Sequence, residues 1–287
     1  MAVMDDLKTF KNSAWLGWQM EANWTDPFLF ATYSIVKPIA GTLILVFMYL
    51  VITSGETETA FFSYMYVGNA FYMFVAEVLF GVTWVIHDDR EHFMTLKQVY
   101  IAPIKFYVYV FGRAAIKIAI VSIGVLVTLA FGVFVLGVQV GAGGVDIPLF
   151  VLSLLLGLSM LLVMGLAMGG LTFLTAKHEG GINEGVAGVF YVLSGVIFPI
   201  TVLPHWVQGV SMTLPVTYWM EAIRRGLMPD AMAEIARGTG LEHLTNLELM
   251  GALLLSAAAF LLLSVSVFKY ADRVARRKGR IDWTSAY

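Results

Sequence analysis

Cysteine is absent from the 287-residue chain, which excludes disulfides and thiolate metal centres. Charge is scarce as well. Asp, Glu, Lys and Arg fill 13% of the positions, against roughly 25% in soluble domains. A net charge of −2 leaves no basic surplus for a nucleic-acid partner. No Gly-x-x-x-x-Gly-Lys-Ser/Thr stretch occurs, so nothing here is built to cradle nucleotide phosphates. Neither a His-Glu-x-x-His helix nor a Ser/His/Asp arrangement is present. Met1-Ala2-Val3-Met4-Asp5-Asp6 offers no basic start followed by an apolar stretch, so a cleaved signal peptide is not expected.

What fills the chain is apolar: 59% of it, gathered into six runs at 30–52, 61–86, 107–136, 148–176, 185–203 and 247–267. At about 1.5 Å of rise per residue, ~20 apolar residues cross a ~30 Å hydrocarbon core. Each run is long enough, the fifth only just. The expected fold is an all-α integral membrane protein of one domain, residues 1–287, with six transmembrane helices. Fifteen of the 18 Lys and Arg residues precede or enter the first run, lie in or just after the second break, follow the fourth run, or follow the last. Only Arg224, Arg225 and Arg237 fall on the opposite side. Basic residues stay cytoplasmic, so both termini are expected inside a cell inner (plasma) membrane.

Three segments outside the runs carry pattern. Residues 5–26 hold Phe10, Trp15, Trp18 and Trp24, with Trp15, Trp18 and Ala22 on one helical face. Tryptophan favours the headgroup level, so this reads as an interfacial helix on membrane lipid, ended near Asp26-Pro27; a soluble tail is the plainer reading. Residues 87–106 place Phe93, Leu96, Val99 and Tyr100 on one face, after Asp88 and Asp89 suited to a helix start and before the stop at Pro103. A short amphipathic cytoplasmic helix offers such a face to lipid or to a partner. The chain leading into and through residues 204–246 is broken by Pro199, Pro204 and Pro215, and its apolar intervals are too short to span. Such chain dips into the outer leaflet and returns. Glu221 and Arg225 stand there at i, i+4.

Inside the runs, Glu77 lies ten residues before His87, near mid-bilayer by helix rise. A lone carboxylate there is costly, so it must face protein or water. Lys117 matches its depth on the next run, and Arg113 is one turn nearer the cytoplasm. The expected solution is a Glu77 pair with Lys117 or Arg113, either a structural pin or a polar lining of a transport path. Tyr64, Phe71, Tyr72 and Phe74 make the second run strongly aromatic: a candidate substrate path, or an aromatic belt with packing. Gly165, Gly169, Gly170, Gly181, Gly185 and Gly188 allow close helix approach. His87, Asp88, Asp89 and His92 invite a metal reading as in intramembrane prenyltransferases, but the only other acidic candidate, Lys177-His178-Glu179 with Glu184, lacks a matching Asp pair.

Two motifs then carry a resemblance. Asp89-Arg90-Glu91, Thr95-Leu96 and Pro103, leading to Gly112-Arg113, form the first. The second is Phe198-Pro199, Leu203-Pro204, Trp206, Leu214-Pro215, Tyr218, Glu221-Ala222 and Arg224. In this order and spacing the chain resembles the ABC-2 type exporter permeases, the membrane subunits of type V ABC exporters, related to antibiotic-resistance, nodulation-factor and O-antigen or teichoic-acid permeases. Met94 stands where that family commonly has glycine, and Lys97 where it has glutamate.

The resemblance implies a transport subunit, not itself an enzyme, that dimerises with itself or a paralogue. It also implies two copies of a separate cytoplasmic ABC ATPase subunit, docked on the 87–106 coupling helix through Asp89, Arg90, Glu91, Phe93, Thr95, Leu96, Val99, Tyr100 and Pro103. The chain binds no cofactor; ATP and Mg belong to that partner. The implied function is export of a hydrophobic or amphipathic, drug-like substrate. A glycan or lipid-linked polymer is the alternative, and an enzyme or ion-coupled transporter follows further off.

Overall fold

The computed structural model describes residues 2–22, 26–55, 59–141, 144–172, 174, 179–235 and 238–279. Among them every regular element is helical and no strand occurs. Helix α1 (Ala2–Glu21) is followed by Asp26, whose side chain accepts from the Phe28 N–H at 2.8 Å and caps α2 (Pro27–Ile52), with Pro27 in its first turn. Thr59 likewise caps α3 (Ala60–Phe74) by accepting from Phe62 N–H at 3.1 Å. A π turn, Val75–Leu79, joins α3 to α4 (Phe80–Glu91) without a break in the rod. Then come α5 (Leu96–Ile101), α6 (Phe106–Leu136) and α7 (Ile147–Thr172). The short helices α8 (Glu179–Leu193), α9 (His205–Ser211), α10 (Pro215–Leu227) and α11 (Pro229–Ile235) precede α12 (Asn246–Lys278). A full capping box, Thr245 with Glu248, starts α12, and Gly279 at φ 62° ends it.

Five of these rods are long and apolar enough to cross a membrane: Phe28–Ile52, Ala60–Glu91, Phe106–Leu136, Ile147–Thr172 and Asn246–Lys278. The second is the buried centre of the bundle, while α2 and α12 turn most of their side chains outward, as lipid-facing helices do. Small residues set the tightest crossings. A Cβ on Gly165 would stand 2.7 Å from Val82 Cβ, and one on Gly170 would meet Phe268 at 2.9 Å, so α7 packs closely on α4 with one face and on α12 with another. Gly112 serves α1 in the same way, since a Cβ there would lie 2.6 Å from the Phe10 carbonyl oxygen. Gly185 and Gly188 behave differently and face open space. The side chain of Gly181's neighbourhood and residues 175–178, with Lys177 and His178, lie outside what is described.

The fifth apolar run departs from expectation. Instead of a full-length span over 185–203, helix α8 ends at Leu193, Gly195 turns the chain at φ 67°, and a 3-10 turn follows at Ile200–Val202. Three bonds fix its path. Tyr72 Oη donates to the Ala187 carbonyl at 2.6 Å, Tyr191 Oη to Asn69 Oδ1 at 3.0 Å, and Tyr64 Oη to the Gly195 carbonyl at 3.0 Å. These pairs step backward along α3 as α8 advances, so α8 runs antiparallel to it. Arg90 Nη1 donates to the carbonyl of Thr172 at 2.7 Å, whereas Arg224 Nη2 donates to that of Val196 at 2.7 Å. Between those points the chain has passed from the α4–α5 end of the bundle to the α9–α11 end. Helix α8 makes up the described part of that passage as far as Leu193; the non-helical chain after it is tolerated because Ser194, Gly195 and Val196 are buried in protein.

Helix α1 packs beside the start of α6, Asp6 pairs with Lys105, and Tyr100 donates to Asp272 Oδ1 at 3.1 Å near the end of α12. Helix α1 and the C-terminal end of α12 therefore both lie at the α5 end of the bundle.

Candidate functional site

Two places in this frame concentrate polar chemistry. The first is the α4–α5 end. Expectation put Asp88 and Asp89 at the start of one helix reaching Pro103. Instead α4 runs through to Glu91, Met94 reverses the chain at φ 50°, and a separate six-residue α5 begins at Leu96. Asp89 is buried within the last turns of α4, where it accepts from Arg113 Nη1 at 2.5 Å and from Tyr109 Oη at 2.9 Å. Its backbone carbonyl accepts from Thr95 N–H at 2.8 Å. Both partners of the Asp89–Arg113 pair are 1% exposed. Occupied in this way, Asp89 is not open to a metal, and no cluster of three or more His, Asp or Glu side chains occurs among the described residues. Arg90, also buried, reaches Glu91 Oε1 at 2.8 Å besides Thr172.

The apolar face read from the sequence divides. Leu96 is buried at 2% exposure, and Val99 and Tyr100 pack half-buried against the same cluster as Val82, Ile86 and Tyr109. Tyr100 stacks on Phe106 with centroids 4.6 Å apart and lies under the Arg276 guanidinium at 4.8 Å. Burial first, and then the Asp272 charge, push its phenol above the ordinary range, so it stays a hydrogen-bond donor. Leu96, Val99 and Tyr100 thus bind α5 to its own bundle. Phe93, Met94, Thr95, Lys97, Ile101 and Pro103 are the residues that face outward.

The second place is a cavity of about 850 Å³ between α2, α3 with its π turn, α6 and α8. Its walls are mostly apolar, among them Leu29, Phe30, Met73, Ile120 and Val121. Lys37 and Glu77 both open into it, 3.8 Å apart, with side chains 62% and 53% exposed. The expected pairing of Glu77 with Lys117 or Arg113 is therefore not made. Lys117 pairs with Glu21 at 2.5 Å and Arg113 with Asp89. The physical reason is azimuth. Within the π turn Val75, Val78 and Leu79 are buried, and Glu77 points away from them toward α2. Of the four aromatic residues proposed for a path, only Tyr72 lines the cavity; Tyr64, Phe71 and Phe74 are core side chains at 2–3% exposure. Tyr72 and Tyr191 stand 4.7 Å apart there, and Asn69 donates to Thr42 Oγ1 at 3.1 Å.

At the far end, Glu221 and Arg225 do form the i, i+4 pair, at 3.0 Å, and Arg225 also donates to the carbonyls of Leu244 and Leu241 at 2.6 and 2.8 Å. Pro199 and Pro215 are buried, Pro204 and Trp206 are exposed, and Tyr218 donates to the Met212 carbonyl at 2.6 Å. Sequence reasoning had not foreseen the position of Arg224. It is fully enclosed, gives Nε to the Tyr64 carbonyl at 3.2 Å and Nη2 to Val196, and sits 3.6 Å from the Tyr64 ring centroid. Burial pulls its guanidinium below the ordinary range, and the carbonyls and ring compensate. Gly68 makes this possible, since a Cβ there would occupy the guanidinium's place. The sequence signal, a lone glycine in an aromatic stretch facing a conformationally fixed arginine, is visible only once the two helices are adjacent.

A family model described as ABC-2 type transporter matches residues 13–228, from the second half of α1 through α10. The chain belongs to that family. No curated protein matches it. It is a multi-pass membrane permease of an ABC transporter, a component that works with an ABC ATPase.

Proposed function

We propose that this ABC-2 family permease exports an amphipathic, drug-sized substrate from the cytoplasm or inner leaflet. It acts as a dimer with a second copy or a paralogue, and two copies of a separate ATPase subunit, binding ATP and Mg²⁺, drive it. Both termini lie in the cytoplasm. The cavity between α2, α3, α6 and α8 is the substrate route. Its volume and its mixture of apolar wall with a few polar groups suit a small amphiphile. The observation that carries the reading is the outward surface at the α4–α5 end, formed by Phe93, Met94, Ile101 and Pro103. It projects from the end of the bundle where α1 and the basic end of α12 also gather, and its exposed apolar side chains are unexplained by the packing of the chain itself.

The pinned loop gives the coupling a mechanical basis. The Thr95 N–H to Asp89 bond ties the start of α5 to α4, and the Asp89–Arg113 pair ties α4 to α6. A push on the outward face is then delivered to α4, and α4 runs directly into the π turn that carries Glu77. The test is copurification with the cognate ATPase. Phe93→Asp and Ile101→Asp each place a carboxylate on the outward face and are expected to lose the ATPase while keeping the parent's melting temperature. Leu96→Asp buries a carboxylate and is expected to lower the melting temperature itself. Full ATPase recovery with both outward substitutions would remove this surface from docking.

A further inference from the structure

Three charged residues line the cavity, Lys37, Glu77 and Glu21, and a fourth, Lys117, pairs with Glu21. They sum to zero and are unequally held. Glu21 and Lys117 are in close contact at 2.5 Å, with side chains only 27% and 17% exposed. Lys37 and Glu77 attract across 3.8 Å, beyond hydrogen-bond distance, and both are more than half open to the cavity. The neutral polar groups on the α3 and α8 walls are already engaged by other protein groups. Tyr191 gives its proton to Asn69, Asn69 donates to Thr42, and Tyr72 donates to the Ala187 carbonyl. The loose pair is what remains for a ligand to engage.

From this we infer that the Lys37–Glu77 pair reads the headgroup of the substrate and selects amphiphiles whose head is zwitterionic. The inference rests on the cavity being the substrate route. A singly charged head pairs with one of the two residues and leaves the other uncompensated among apolar walls, which is costly in a low-dielectric site. A neutral head gains less, because it offers neither Lys37 nor Glu77 an opposite charge to replace the other. A head with both signs enters the pair, its anionic group on Lys37 and its cationic group on Glu77, and leaves no charge over. The apolar tail lies along Phe30, Met73, Ile120 and Val121. Two further features fit a reader rather than a strut. Glu77 is carried on a π turn, a local distortion that re-aims one side chain. Lys37 is steadied from behind by the Tyr33 ring at 5.2 Å, so it can release Glu77 without being left bare.

The experiment uses the full-length permease in maltoside micelles and three photoreactive probes. Each has the same dodecyl chain with a terminal diazirine, under a betaine, a trimethylammonium or a sulfate head. Labelling is mapped by peptide mass spectrometry on segments 28–49, 69–77 and 184–191. The parent is expected to label with the betaine about tenfold more than with either charged probe, one uncompensated charge being worth at least that factor. Lys37→Met is expected to move the preference to the ammonium probe and Glu77→Gln to the sulfate probe. The double variant is expected to label with all three alike. Equal labelling of the parent by all three probes, or a betaine preference that survives in the double variant, overturns the headgroup inference and leaves the cavity as route. Absence of cavity labelling by every probe in both parent and double variant overturns the route itself, and the inference with it.

Discussion

Asp89→Asn is the substitution that bears most directly on how the α4–α5 end of the bundle is held together. It preserves the shape of the side chain and removes its charge. Asp89 and Arg113 are each 1% exposed, and Arg113 Nη1 lies 2.5 Å from the carboxylate, with the Tyr109 hydroxyl as second donor at 2.9 Å. Breaking a buried pair by neutralising one partner costs about 3–5 kcal/mol, because the remaining charge is uncompensated. On the scaling of domains of a few hundred residues, that lowers a melting temperature by roughly 6–20 °C. The assay is thermal unfolding in detergent, followed by intrinsic fluorescence. Replacing both partners, Asp89→Leu with Arg113→Met, is expected to recover most of the loss, since apolar packing substitutes well for a buried pair. Glu77→Ala is the contrasting control. Its partner is 3.8 Å away and both side chains are open, so little stability is expected to depend on it. If Asp89→Asn melts within about 2 °C of the parent, or if Glu77→Ala is the more damaging change, the assignment of the structural pin to Asp89–Arg113 is wrong.

Two further outcomes are expected. Gly68→Ala puts a methyl where the Arg224 guanidinium sits, and should cost several kcal/mol through overpacking together with a displaced buried cation, seen as a lower melting temperature; Arg224→Met in the same background should relieve the collision and recover part of it. The chain has no native cysteine, so His243→Cys and Gln98→Cys, both at exposed positions, report sidedness cleanly: His243→Cys should react with an impermeant maleimide only from outside, and Gln98→Cys only from inside, and the reverse pattern would invert the proposed topology.

Much of this architecture is legible in the sequence because it follows from one-dimensional quantities. Apolar length marks five of the long rods. Asp26-Pro27 marks the boundary between α1 and α2, the spacing of Glu221 and Arg225 gives their pair, and the glycines of the fourth run mark a close helix approach, which the structure makes against α4 and α12. The fifth run misleads for a physical reason. Apolarity is demanded of any chain at membrane depth, helical or not, so composition alone cannot see that Gly195 takes a left-handed turn and that the carbonyls of Gly195 and Val196 are satisfied by Tyr64 and Arg224 rather than by a continuing helix. The local pattern of 87–106 misleads in a related way. An apolar face on a short helix predicts burial against something, and the something is the chain's own cluster of Val82, Ile86 and Tyr109.

The charged residues show where such reading stops. Depth is a sum of rises and can be counted along the sequence, and by that count Glu77 and Lys117 match. Direction around the helix axis accumulates differently, and a single π turn resets it. With 3.6 residues per turn the phase of Glu77 can be extrapolated from its neighbours, but Val75–Leu79 bond in the wider i→i+5 pattern, and the phase on either side no longer agrees. Nothing in the residues Val-Ala-Glu-Val-Leu announces that turn. The consequence is large because charges are few. Once Glu77 points to α2, Lys37 becomes its neighbour, Lys117 is left to Glu21, and Arg113 turns to Asp89. A pairing that would have been a buried pin becomes an open pair at the wall of a cavity, and the pin moves about a dozen residues along to the end of α4. The same side chain that looked structural by depth is thereby placed where only a ligand or its loosely held lysine can answer its charge.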